Sequence, residues 1–126
     1  MTVLDASAVL ALVHDEPGAD VVVEALPGAI LSAVNLAEVV GKLMDANVEA
    51  RQLRTLLVSA GVTIEPFGAD DAELAGALRS VAGGRALSLG DRCCLAVALR
   101  RDSAEVLTGD RAWAELDLPV RVVLFR

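Results

Sequence analysis

The chain has 126 residues, of which 55% are hydrophobic and only 2% aromatic, and carries a net charge of −7. That length gives one domain, residues 1–126, room for a core built from aliphatic side chains. The acidic balance speaks against the basic footprint of a typical nucleic-acid-binding protein. A single His leaves no Cys/His zinc pattern.

In chain order, Val3 to Asp5 reads as a buried strand that ends in a carboxylate, and Ser7 to His14 as the helix it feeds. Asp15-Glu16-Pro17-Gly18 breaks that helix. Ala19 to Leu26 follows as a second short helix, closed by Pro27-Gly28. Ala29 to Ser32 is the second strand. Asn35 to Ala46 is a helix with Leu36, Val39, Val40 and Leu43 on one stripe. Asp45-Ala46-Asn47 forms a helix–helix corner before Glu49 to Ala60, a helix with Gly61 as its C′ residue. Val62 to Glu65 is the third strand. Ala69 to Val81 is a helix whose opening acids, Asp70 and Asp71, suit the positive end of its dipole. Gly83-Gly84-Arg85 is a loop, and Gly90-Asp91 opens a helix to Arg100 or Arg101. Glu105 to Thr108 is the fourth strand, Arg111 to Leu116 a short helical turn, and Val120 to Phe125 the fifth strand.

Strands alternating with helices imply parallel pairing through right-handed crossovers. The expectation is a three-layer α/β/α domain with a parallel sheet. The aliphatic surplus fits a sheet covered on both faces, and it equally fits an apolar interface with a second chain.

Four acids stand in or beside apolar sequence near helix starts: Asp5, Glu38, Asp91 and Asp110. Isolated carboxylates rarely stay ionised next to a core without a partner, and no Lys or Arg pattern pairs all four. In an open parallel sheet, ligands bind beyond the carboxyl ends of the strands. Asp5 and Asp110 follow the first and fourth strands directly. Glu38 lies about one turn into the helix after the second strand. Asp91 lies in the first turn of the helix that feeds the fourth. All four can share one rim and meet around Mg²⁺ or Mn²⁺, which take oxygen ligands and keep several waters. Two such ions would offset more than half of the net charge. They could activate a water and stabilise the leaving oxygen of an in-line phosphodiester cleavage.

Each acid also has a plainer reading. Asp5, Asp91 and Asp110 could simply cap helices, and Glu38 could be a solvated surface acid. No serine has a His partner, since His14 is alone and reads as a helix-end or packing residue. Ten of the eleven basic residues are Arg. Arg85, Arg92 and Arg111, beside the Gly-rich loop or the rim acids, are candidate RNA phosphate contacts, with surface salt bridges as the alternative. Cys93 and Cys94 are adjacent in a helix, so a disulfide between them is geometrically unfavourable. They read as small buried residues and fit a reduced, cytoplasmic setting. The first residues lack the basic region of a signal peptide. The apolar run Cys93 to Leu99 is too short to span a bilayer, so no membrane association is expected.

The motifs Val3-Leu4-Asp5-Ala6-Ser7, Ser32-Ala33-Val34-Asn35-Leu36-Ala37-Glu38-Val39, Leu87-Ser88-Leu89-Gly90-Asp91-Arg92-Cys93-Cys94-Leu95-Ala96 and Leu107-Thr108-Gly109-Asp110-Arg111-Ala112-Trp113 follow in order across nearly the whole chain. Together they resemble the PIN domain family, most closely its VapC-type toxins of bacterial toxin–antitoxin pairs. The resemblance implies a five-stranded parallel sheet of order 3-2-1-4-5 and a Mg²⁺- or Mn²⁺-dependent endoribonuclease. It implies that Asp5, Glu38, Asp91 and Asp110 form the acidic metal site, supported by the polar residues Ser7, Asn35 and Thr108. It also implies an RNA substrate, a homodimer, and a cognate antitoxin whose C-terminal segment lies across the site. One position departs from the family. Many PIN domains carry an acid two residues after the fourth, where this chain has Ala112, which leaves open whether one or two ions bind.

Two rivals come from other classes. A phospho-acceptor receiver domain needs paired acids after the first strand and a Lys after a late strand, whereas Lys42 lies early in a helix. A catalytically silent PIN-like module would bind RNA or protein without cutting, and the presence of all four acids argues against it.

Overall fold

A computed structural model describes residues 1–81, 83–101 and 105–126. Five strands, β1 (Thr2–Leu4), β2 (Ile30–Ser32), β3 (Thr63–Glu65), β4 (Glu105–Thr108) and β5 (Arg121–Leu124), form one parallel sheet of order β3-β2-β1-β4-β5. The helices are α1 (Ala6–Val13), α2 (Ala19–Ala25), α3 (Ala33–Asp45), α4 (Leu53–Ser59), α5 (Ala69–Ala77) and α6 (Leu89–Leu99).

The register explains why the strand sequences are continuously apolar. Ile64, Leu31, Leu4, Leu107 and Val123 pair across the sheet in one row and pack into a core with α1, α2, α3 and α4. One residue earlier on four of the strands, Ile30, Val3, Val106 and Val122 form the next row and pack on the opposite side against α6 and Trp113. Alternate side chains of each strand therefore serve opposite layers, as a two-sided parallel sheet requires. This arrangement takes up most of the aliphatic surplus, although Met44, Leu56, Val58 and Leu89 remain exposed.

Several boundaries differ from expectation. The third helix begins at Ala33 because the Ser32 hydroxyl accepts from the Val34 N–H, an N-cap that the pattern of apolar residues does not reveal. The helix expected from Glu49 begins only at Leu53, because the Glu49 carboxylate accepts the Arg51 backbone N–H at 2.7 Å and holds a turn there. Gly61 does close that helix, at φ +100°. The helix over Ala69–Val81 becomes a 3₁₀ turn at Leu78–Ser80, where Gly84 backs closely onto the Leu78 carbonyl. The loop at Gly84 is itself a 3₁₀ turn, Gly84–Ala86, and Arg111–Glu115 is another. Cys93 and Cys94 are free and buried. Among the described residues, no helix is long and apolar enough to cross a membrane.

Candidate functional site

Local rules of helix initiation place three of the acids. Asp5 ends β1 in extended backbone and caps α1, its Oδ1 accepting the Ala8 N–H at 3.0 Å. Ser88 caps α6, and Asp91 returns the favour: Asp91 Oδ2 accepts the Ser88 N–H at 3.0 Å while Ser88 Oγ accepts the Asp91 N–H at 3.1 Å. This capping box satisfies two backbone donors that the helix start would otherwise leave open. Asp110 caps the 3₁₀ turn through the Ala112 N–H at 3.0 Å. Asp5 and Asp110 are thus caps, as their plainer readings have it, whereas the cap beside Asp91 is Ser88; these local roles coexist with a shared location. Asp5, Asp91, Asp110 and Glu38 all line one cleft of about 280 Å³ beyond the carboxyl ends of β1 and β4.

Polar neighbours fix how each carboxylate faces the cleft. Ser7 donates to Asp5 Oδ1 at 2.6 Å and Thr108 to Asp5 Oδ2 at 2.7 Å. Ser7 Oγ also accepts the Gly109 N–H, and Thr108 Oγ1 the Asp110 N–H, each at 3.0 Å. These two hydroxyls thereby tie the end of β1 to the end of β4. Asn35, buried on α3, donates to Glu38 Oε1 at 3.2 Å and to the Gly90 carbonyl at 3.0 Å. Asn35 Oδ1 is buried without a hydrogen-bond partner among the described residues.

The electrostatics follow from burial. Burial pushes the Asp5 carboxyl above its ordinary value, against the hydrogen bonds from Ser7, Thr108 and Ala8, and the Asp91 charge adds to the rise. Burial likewise raises Asp91, opposed by the Ser88 hydrogen bonds and reinforced by Glu38 and Asp110. These mutual couplings are those of acids gathered at one rim.

The convergence is incomplete. Among the described residues, no group of three His, Cys, Asp or Glu side chains stands ready to hold a metal ion. Glu38 is drawn toward Lys42, 3.6 Å away one helical turn on, and each aspartate is turned to its own backbone donor. The donor set itself, carboxylates backed by hydroxyls and an amide, suits a hard cation such as Mg²⁺ or Mn²⁺. Asp91 Oδ1 and Asp110 Oδ2 carry no hydrogen bond among the described residues.

The three arginine candidates separate. Arg92 is buried and donates to the Ala75 carbonyl at 3.0 Å, tying α6 to α5, so it faces away from the cleft and corrects the expected phosphate contact. Arg85 is exposed beside Arg79 in a different hollow. Arg111 is exposed directly after Asp110. His14 ends α1 as expected. The sequence reading missed Glu16, Lys42 and Arg126, which also line the acidic cleft.

A family model described as PIN domain matches residues 2–118. Among solved structures, a toxin–antitoxin complex from Klebsiella pneumoniae is similar with a TM-score of 0.73 and 23% identity, over 100% of this chain and 98% of that one. VapBC2 from Rickettsia felis, bound to a DNA fragment from its promoter, gives a TM-score of 0.68 and 13% identity, over 98% and 97%. FitAcB from Neisseria gonorrhoeae gives 0.67 and 21%, over 97% and 96%. No curated protein matches significantly.

Proposed function

The chain belongs to the PIN domain family, and from that membership we propose that it is a divalent-metal-dependent endoribonuclease, the toxin of a toxin–antitoxin pair. The observation that carries this reading is the cleft itself: Asp5, Glu38, Asp91 and Asp110, from four separate elements, line one hollow at the carboxyl edge of the sheet. Carboxylates in this setting serve as ligands for Mg²⁺ or Mn²⁺, with Asp91 Oδ1 and Asp110 Oδ2 still open for that role. A bound divalent ion supplies a water nucleophile at neutral pH and neutralises charge on the leaving oxygen. Ser7 and Thr108 aim the Asp5 carboxylate and oppose the rise that burial imposes on it, Asn35 steadies Glu38, and Ser88 orients Asp91. Arg111 remains the candidate phosphate contact beside the cleft, and Arg85 one farther along the strand's path.

The partner reading draws on a second hollow. Leu12, Val13, Leu26, Leu43, Leu53 and Leu57 line an apolar hollow of about 380 Å³ between α1, α3 and α4. The similar solved structure from Klebsiella pneumoniae is a toxin–antitoxin complex. We assign this chain a cognate antitoxin, a homodimeric state and a cytoplasmic site of action. Two free, buried thiols fit that compartment.

One observation favours the second reading, a catalytically silent module that binds RNA or protein: the acids as placed do not close on a single point. Incubation with single-stranded RNA in Mn²⁺ and in EDTA separates the two. The ribonuclease cuts in Mn²⁺ alone and loses most activity as Asp5→Asn. Binding without cutting under every divalent ion would establish the silent module instead.

A further inference from the structure

The acidic cleft is also lined by a guanidinium, that of Arg126. Arg126 lies just beyond β5, and its Nη1 sits 2.9 Å from Glu16 Oε2. Its guanidinium carbon is 5.0 Å from the centroid of the Phe125 ring. The side chain crosses directly over Gly109, where a Cβ would come within 2.7 Å of Arg126 Nε and 2.8 Å of Phe125 Cζ. Gly109 joins Thr108, which holds Asp5, to Asp110. The absence of a side chain there is what lets the Arg126 side chain lie against Gly109, beside Asp110 in sequence, and line the cleft.

An RNA strand entering this cleft meets five carboxylates, those of Asp5, Glu16, Glu38, Asp91 and Asp110, and two cations, Lys42 and Arg126. Lys42 is engaged with Glu38 on its own helix. Among the described residues, the ion pair of Arg126 is with Glu16, and that pair is 37% and 38% exposed, so water screens it and little is lost when it opens. A guanidinium offers a planar fork of donors that matches two phosphate oxygens better than one distant carboxylate.

Resting on the ribonuclease reading, we propose that Arg126 is a phosphate contact of the cleft. It holds the RNA backbone beside Asp110, and Glu16 keeps the guanidinium in place until the strand displaces it.

Salt dependence of binding tests this. A fluorescent single-stranded RNA oligonucleotide is titrated with the Asp5→Asn protein in Mg²⁺ across a range of KCl concentrations. Each phosphate contact on a single strand contributes about 0.7 to the slope of log affinity against log salt. Adding Arg126→Ala lowers the slope by about that amount and weakens binding several-fold at low salt, whereas Arg126→Lys largely keeps the slope. Arg121→Ala removes the same charge from the opposite end of β5 and leaves the slope as it was. An unchanged slope in Arg126→Ala, or an equal fall in Arg121→Ala, overturns the assignment while leaving cleavage by the wild type intact. Failure of the protein to bind RNA at all overturns both the assignment and the ribonuclease reading.

Discussion

Thr108 Oγ1 donates a 2.7 Å hydrogen bond to Asp5 Oδ2, joining the ends of β4 and β1 where both residues are closed to water, 0% and 4% exposed. The same hydroxyl accepts the Asp110 N–H, so one atom sets the relation between two of the acids.

Thr108→Val keeps the shape and removes the hydroxyl. A hydrogen bond to a charged group is worth about 1.5–3 kcal/mol, and the variant should lose stability in that range by urea denaturation. Thr108→Ser, which keeps the donor, should lose less. Without this bond, burial drives the Asp5 carboxyl still higher, so the acidic limb of the cleavage–pH profile should move upward. Equal stability of the Val and Ser variants would remove the bond from the account.

Gly90, on α6, backs closely onto the Glu38 carboxylate. A Cβ at Gly90 would come within 2.5 Å of Glu38 Oε1 and 2.9 Å of its Cδ. Only the mobile end of Glu38 must give way, and Ala is the better helix residue by up to about 1 kcal/mol. Gly90→Ala should therefore melt at or above the wild-type temperature. Misplacing a reacting group by an ångström costs on the order of a hundredfold in rate, and cleavage by this variant should fall accordingly. Full activity would mean that Glu38 does not need its present position.

Away from the cleft, Glu65 accepts from Arg101 at 2.6 Å and from Arg100 at 3.2 Å, while Arg100 also pairs with Asp71 at 2.7 Å. The Arg101 hydrogen bond, then the charges of both arginines, outweigh burial and hold the Glu65 carboxyl below its ordinary value. A depressed acid stabilises the fold above its unfolded pKa, and that contribution is lost as pH falls through the folded pKa. Glu65→Gln should thus be less stable than wild type at pH 7, with the gap closing below about pH 4.5. A gap independent of pH would assign the network to packing rather than charge.

The sheet was legible because a strand buried on both faces must be apolar throughout, and Val3-Leu4, Ile30-Leu31 and Val106-Leu107 are. The resemblance then supplied the strand order, which the register bears out. Helix starts were harder to read. Ser32 and Ser88 are caps, but serine is as much at home in loops, and only the hydrogen bond distinguishes the two. Arg92 misled because its neighbour Asp91 faces the cleft while its own side chain, a step of about 100° around the helix, points inward to Ala75. Arg126 and Glu16 were illegible for a different reason: they meet across 110 positions of sequence. Lys42 did leave a signal, an i,i+4 spacing from Glu38.

Melting curves of wild type and Asp91→Asn, each in EDTA and in Mn²⁺, test the proposed metal site most directly. Burial and the charges of Glu38 and Asp110 make ionised Asp91 unfavourable in the folded protein, and Asn can still accept the Ser88 N–H. In EDTA the variant should melt higher than wild type. An ion bound only by the folded state adds about 2.7 kcal/mol at 100 times its dissociation constant. Wild type should gain that stability in Mn²⁺ and the variant little, so the order of the two curves should reverse. Parallel shifts of both proteins between EDTA and Mn²⁺ would contradict a metal site at this cleft.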